Sequence, residues 1–594
     1  MTPESTFTQS RWSLAELYPT ADSPQQQADI QQLEQLVSGF EAMRPQMTGQ
    51  MAPETFVSVL QRMEEIYRIA ERLQSFAGLW FSVDTQNQSA QTLKGRTDQI
   101  LADLKNRTLF FELWWKQLAA DSADRLLDAS GDYRYWLQQI RAAQPFTLSE
   151  PEEKIINLKN ITGANALQTL YASITNRYTF QLTVDGESKT MTRDSLMSYA
   201  RKSDPQIRAA AFQEMLRVYA RDGHILGQIY QNLVRDWGNE NVNLRGFNSP
   251  IAVRNLMNDI PDEVVETLMQ VCRQNAGVFQ RFFRLKARWL GMPRLRRYDL
   301  YAPLTASDKH YAFNQASQDM LAAFGDFDPS LAQLAQRVFN EQHLDSEVRP
   351  GKRGGAFCWP AAPDLTPWLL VNYQGYVEDA VTLAHEMGHA IHSMLAEKHT
   401  LFTFQSCLPL AETASLFGEM LMVDRLLKHE TDETVRRDLL FKQVDDAYAS
   451  MQRQIYFAMF EKEAHQQIVQ GASVDDLNSL YMKNLQDQFG DAVELSDEFR
   501  WEWVAIPHLY NWPFYVYAYT FGQLLVLALY QQYRLEGESF KPRYLRILSA
   551  GGSVPPVQLL AEAGIDIRQA SFWQGGYDVL ASRIAELEAM PIPR

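Results

Sequence analysis

Residues 381–395 read VTLAHEMGHAIHSML, and no other stretch constrains the fold as tightly. Val381, Ala384, Ile391, Met394 and Leu395 recur at helical spacing and predict a helix with one face in a core. His385 and His389 are four residues apart, which puts both imidazoles on one face of that helix, a turn apart. Two imidazoles so placed can share one zinc ion, and Glu386 beside the first can act on a water as general base. Gly388 lies in the helix interior, where glycine costs about 1 kcal/mol against alanine. Its presence predicts a close approach by another backbone or a ligand. His392 shares the face of His389 but rises one further turn, out of reach of an ion centred between His385 and His389. Packing or a supporting hydrogen bond is its expected role.

A catalytic zinc keeps three protein ligands and one open position. Residues 408–422, LPLAETASLFGEMLM, supply candidates for the third. Pro409 suits a helix start, and the apolar spacing after it is helical. Glu412 and Glu419 lie seven apart, on one face but about 10 Å apart along the axis. Only one can reach the ion, and spacing does not choose. The other would suit an imidazole N–H as an outer partner.

The 594 residues exceed one ordinary domain, and 46% hydrophobic content supplies material for large cores. Two lobes with a cleft are expected. The net charge of −16 argues against a nucleic-acid partner. Cys272, Cys358 and Cys407 are odd in number and widely spaced, which fits a reducing compartment without disulfides. The first residues, MTPESTFTQS, have neither a basic start nor an apolar core, so no secretory signal is expected. The most apolar run, 514–530, is interrupted by Thr520, Gly522 and Gln523 and predicts a buried core helix rather than a membrane span. A cytoplasmic protein is the expectation, and no motif specifies an oligomeric state.

Helical patterns occupy 25–45, 54–85 and 88–120. Residues 178–192 predict a β-hairpin turned by Asp185-Gly186. Helical spacing resumes over 194–240 and 261–290. Residues 350–376, with Gly351, Gly354 and Gly355, predict two short strands. The expected fold is mainly α with a small sheet beside the 381–395 helix. A boundary near 200 would divide a helical N-terminal lobe (1–200), shaping a cleft, from a catalytic domain (201–594).

HEMGHAIH followed by AETASLFGE, with 23 residues from His389 to Glu412, resembles the oligoendopeptidase F family of thimet-oligopeptidase-like metallopeptidases. The resemblance extends to GGAFCWP, LLVNYQG and PHLYNWPFYVYAY, and to the opening Trp12–Tyr18. It implies Glu412 as third zinc ligand, Glu419 as a supporting residue, and a two-lobed helical shell around a deep channel. It further implies short peptides as substrates, and a histidine with tyrosines that stabilise the oxyanion. Here those are His508, Tyr515 and Tyr519, the two tyrosines being four apart and expected on one helix face. A substrate strand is expected to pair with Gly354, Gly355, Ala356 and Phe357. Cleavage of internal peptide bonds with one zinc ion is therefore expected. Two alternatives are a zinc carboxypeptidase, with Arg353 as a conceivable carboxylate holder, and a catalytically silent peptide-binding protein.

Overall fold

Helices form where the apolar period places them. The computed structural model describes residues 6–304 and 310–592. Its first long helices are Pro24–Ala42, Pro53–Val83 and Gln88–Gln117. Pro24 and Pro53 stand at first helical positions, where the missing N–H costs nothing. Ser23 and Asn87 accept the N–H groups of Gln26 and Ala90 as N-caps. Phe40, Phe56, Leu60, Ile66, Phe76 and Trp115 are buried from these helices in one core, together with Trp12, Leu17 and Tyr18. The same core takes in Trp368 and Leu370.

The hairpin forms from Phe180–Val184 and Glu187–Met191, antiparallel, with Val184 opposite Glu187. Asp185 and Gly186 have φ of 54° and 81°, the two positive values that its tight turn requires. The helical pattern over 194–240 divides into Arg193–Tyr199, Pro205–Arg221 and Gly223–Trp237, followed by a π-helical turn at Gly238–Leu244. Asp204-Pro205 opens the second of these as cap and first residue.

The chain divides into two compact units, each assembled from three stretches. Unit one comprises Met1–Gln144, Asp308–Glu430 and Gln532–Asp566; unit two comprises Pro145–Ser307, Thr431–Gln531 and Ile567–Arg594. The boundary expected near 200 falls inside unit two.

In unit one, three short strands form a sheet in the order Leu344–Asp345, Trp368–Leu370, Phe357–Trp359. The first pair is parallel and the second antiparallel, with Cys358 opposite Leu369. Among the described residues no strand pairs the outer edge of Phe357–Trp359. The helix Val377–Leu395 packs against the two latter strands and crosses the helix Thr413–His429. Asp379 Oδ2 fixes its start by accepting the N–H groups of Gln374, Gly375 and Tyr376 at 2.8–2.9 Å.

The crossing is close because of two glycines. A Cβ on Gly388 would stand 2.5 Å from the Ala414 carbonyl oxygen and 2.6 Å from Ser415 Cα, and one on Gly418 would meet the Ala384 carbonyl oxygen at 3.0 Å. The backbone approach expected at Gly388 is thus present.

The 514–530 run lies largely within the helix Tyr517–Glu536, which is buried along most of its length in unit two. Among the described residues no helix is long and apolar enough to cross a membrane, and none of the three cysteines forms a disulfide.

Candidate metal centre

The helix Val377–Leu395 turns His385 and His389 to one side, their rings 4.9 Å apart and nearly perpendicular. From across the helix crossing comes Glu412, the last residue before the helix Thr413–His429. Its Oε2 lies 3.4 Å from His385 Nε2 and 3.3 Å from His389 Nε2. Ligands about 2 Å from one tetrahedral ion sit roughly 3.4 Å apart, so one imidazole–imidazole–carboxylate set fits a zinc-like cation. Glu419 approaches His385 on the opposite ring edge, its Oε1 2.5 Å from Nδ1. A carboxylate accepts, so Nδ1 carries a proton, and Nε2, facing Glu412, is left to take either a second proton or a metal ion. The geometry thus separates the two glutamates that spacing left equivalent.

The electrostatics favour a cation. Burial disfavours a charged His385, yet the hydrogen bond to Glu419 and the charges of Glu419, Glu412 and Glu386 outweigh it and lift the ring to about 9. Burial likewise pushes the Glu412 carboxyl up, but His389, His385 and the Ser415 hydroxyl bring it down to about 2. Positive charge, whether proton or metal ion, is therefore stabilised between these groups. Glu386 is buried, and burial holds its carboxyl above the usual range against the lowering effect of both histidines. A carboxylate so raised is a better proton acceptor.

A cavity of about 390 Å³ opens in front of these groups. Ala356, Phe357, Cys358 and Pro360 line it, as do Phe404, Gln405 and Ser406. Gly354 and Gly355 are not among the lining residues. They lie in a bend ahead of the strand, which spans only Phe357–Trp359; Gly355 has φ of 77°, which takes the chain out of extended geometry there. Arg353 is exposed, with its guanidinium 5.2 Å over the Phe357 ring. His392 is buried beside the cavity and hydrogen-bonds the Ala411 backbone, next to Glu412.

Several supporting residues have no local sequence signal. Ser415 Oγ donates to Glu412 Oε2 at 2.7 Å; only its place three residues after Glu412 hints at this. Asp132 anchors the segment that carries Phe404–Ser406, accepting from Thr400 N–H at 2.8 Å and Thr403 Oγ at 2.6 Å and meeting His399 Nδ1 at 2.9 Å. Gly552 N–H donates to the Thr403 carbonyl at 2.7 Å. Asp132 and Gly552 lie far in sequence from the residues they hold, with many helices between.

His508, Tyr515 and Tyr519 belong to unit two and gather there. His508 lies 6.3 Å from the Tyr515 ring and 6.2 Å from the Tyr519 ring, and the tyrosine rings meet edge-on at 5.3 Å. The two tyrosines do not share a helix, as their spacing suggested. The helix starts at Tyr517, because Pro513 and Phe514, the latter in the left-handed region at φ of 59°, form a turn ahead of it. That turn is held by Glu461, which accepts the Phe514 N–H at 3.0 Å, and by Arg254, which donates to the Pro513 carbonyl at 3.1 Å. Arg254 also stands 5.7 Å over the Tyr515 ring. Burial lowers the His508 imidazole, favouring its neutral form.

Residues 198–579 match the model of a family described as Peptidase family M3, and residues 114–180 match one described as Oligopeptidase F. A group B oligopeptidase, PepB, of Streptococcus agalactiae is 28% identical over 538 residues, 88% of each chain. An oligoendopeptidase F homologue of Lactococcus lactis is 24% identical over 592 residues, 98% of this chain and 97% of its own. A crystal structure from Chlamydophila abortus overlays with a TM-score of 0.88 at 23% identity, covering 98% of both chains. Oligoendopeptidase F from Enterococcus faecium overlays with a TM-score of 0.70, also at 23% identity, over 96% of this chain and 99% of its own. The two overlays bear on the fold alone.

Proposed function

The chain belongs to peptidase family M3 and is a peptidase, and on that premise we propose that it is a zinc-dependent oligoendopeptidase cutting internal bonds of short, unstructured peptides. His385, His389 and Glu412 would hold one zinc ion, and Glu419 would orient His385. The observation that carries this is the 3.3–3.4 Å spacing of both Nε2 atoms from Glu412 Oε2, which suits three ligands of one tetrahedral ion.

Bound zinc supplies Lewis acidity, polarising a carbonyl and making a water more acidic. Glu386 takes the proton from the attacking water and delivers it to the departing nitrogen. The peptide lies extended along the outer edge of Phe357–Trp359; support comes from that edge lacking a paired strand among the described residues and from Ala356, Phe357 and Cys358 lining the cavity. Gly354 and Gly355, with open space around them, would let the substrate chain pass. Main-chain pairing would leave the site tolerant of side-chain sequence. His508, Tyr515 and Tyr519 donate hydrogen bonds to the oxyanion of the tetrahedral intermediate; their clustering within unit two and the exposure of Tyr519 support this part. A cytoplasmic location belongs to the same proposal.

A carboxypeptidase would need a cation to hold the free carboxylate. Among the described residues lining the cavity there is no Arg or Lys, and Arg353 is not one of them. No observation favours that second activity.

The test separates metal binding from chemistry. Glu386→Gln keeps the zinc ion held by His385, His389 and Glu412 and loses turnover by about 10²–10⁴-fold, whereas His389→Ala loses that ion. A Glu386→Gln enzyme with full turnover contradicts the mechanism.

A further inference from the structure

A second group of metal-ligating side chains lies where the N-terminal segment meets the sheet of unit one. Ser13 N–H donates to the Gln342 carbonyl at 2.8 Å, Ser346 N–H to the Ser10 carbonyl at 2.9 Å, and the Trp368 indole to the Ser13 carbonyl at 2.8 Å. This docking brings Glu16 up to His343 and Glu341. One donor atom from each residue lies within 4.8 Å of the others.

His343 sets the group apart from a chance meeting of surface carboxylates. Its side chain is 2% exposed and stacks on the Trp368 ring at 4.0 Å. Its Nδ1 stands 2.8 Å from the Thr366 carbonyl oxygen. That oxygen can only accept, so Nδ1 carries a proton. Nε2 faces outward, 3.2 Å from Glu16 Oε2. In the neutral ring this nitrogen presents a lone pair to a carboxylate, and burial against an indole disfavours the imidazolium that would relieve the repulsion. A metal ion between them relieves it without charging the ring. A ring N–H donated to a backbone carbonyl is also what orients metal-bound histidines.

We propose that His343, Glu16 and Glu341 form a second divalent-metal site, taking zinc or a similar transition ion and fastening the N-terminal segment to the sheet. One imidazole and two carboxylates suit such an ion. Ligand atoms about 2 Å from it sit roughly 3.4 Å apart, a spacing that the two glutamates reach by side-chain rotation, since both are exposed. Arg337 Nε holds Glu341 Oε1 at 3.1 Å, so the ion takes the other carboxylate oxygen. The site shares no ligand with the His385–His389–Glu412 group and does not depend on the catalytic role given to that group.

Full-length protein dialysed to equilibrium against zinc is assayed for bound metal by elemental mass spectrometry. His343 is buried, so the exposed glutamates are substituted to keep the fold. Wild type binds two zinc ions, the double variant Glu16→Gln/Glu341→Gln binds one and keeps its peptidase activity, and His389→Ala binds one. Added zinc raises the unfolding temperature of His389→Ala but not of the variant that combines all three changes. Equal zinc content in wild type and in the double glutamate variant overturns the proposal. A single ion that survives His389→Ala but is lost in the double glutamate variant upholds this site while removing the catalytic one.

Discussion

Glu412 and Glu419 differ by two helical turns, and their environments assign them different work. Glu412 shares the space in front of both imidazoles, while Glu419 holds His385 from behind through Nδ1. Replacing Glu419 by alanine therefore leaves all three donors in place but frees the His385 ring to rotate and change tautomer. The expected outcome is a metal affinity lower by about 10–100-fold, measured by competition with a chromophoric chelator; an unchanged affinity would reduce Glu419 to a bystander. That His385 and His389 share a face is legible in their spacing alone. Which glutamate joins them is not, because the axial offset between two crossing helices depends on packing that no spacing encodes. Asp132, Arg254 and Glu461 escape for a related reason: each acts on a neighbour brought close by the fold.

Among the elements, the crossing of Val377–Leu395 with Thr413–His429 sets the distance between the histidines and Glu412. Gly388 allows it. Alanine there gains about 1 kcal/mol of helix propensity, but its Cβ would press on the Ala414 and Ser415 backbone at 2.5–2.6 Å. Backbone cannot step aside as a side chain does, so overpacking, about 1–3 kcal/mol, outweighs the gain. Gly388→Ala should lower both the unfolding temperature and zinc affinity; a more stable variant would contradict the packing account. The segment lining the cavity at Phe404–Ser406 depends on Asp132. Burial raises that carboxyl, but its hydrogen bonds from His399, Thr403 and Thr400 prevail and hold it at about 2, below the ordinary 3.8. A depressed carboxyl stabilises the fold above its unfolded pKa and loses that contribution as pH falls through the folded one. Wild type should exceed Asp132→Asn in urea resistance by a constant margin above about pH 4, shrinking towards pH 2. A margin that is flat across that window would remove the carboxylate's role. The long helices and the hairpin are legible from period and turn residues. The strands Leu344–Asp345, Leu295–Arg296 and Val493–Glu494 are not, since two residues carry no period.

At the scale of the molecule, each unit draws on three separate stretches of chain. No linker marks the boundaries because none is needed: the breaks at Gln144, Glu430 and Asp566 fall at helix ends or in short connections of ordinary composition, and the one at Gln531 falls inside the helix Tyr517–Glu536. The helices before residue 144 bury Trp368 and Leu370, the strand residues on which the 377–395 helix rests. The N-terminal quarter of the chain thus belongs to the foundation of the candidate metal centre. The net charge of −16 adds a field that draws divalent cations towards the chain.

The proposed function is internal cleavage of peptides that depends on one metal ion. It is tested most directly by mass spectrometry of a short peptide blocked at both ends, incubated with the enzyme alone, with a chelator, and with the chelator followed by zinc. The proposed function predicts cleavage at internal bonds, abolished by the chelator and restored by zinc. Cleavage that persists after the metal is removed, or loss of C-terminal residues only from an unblocked peptide, would contradict it.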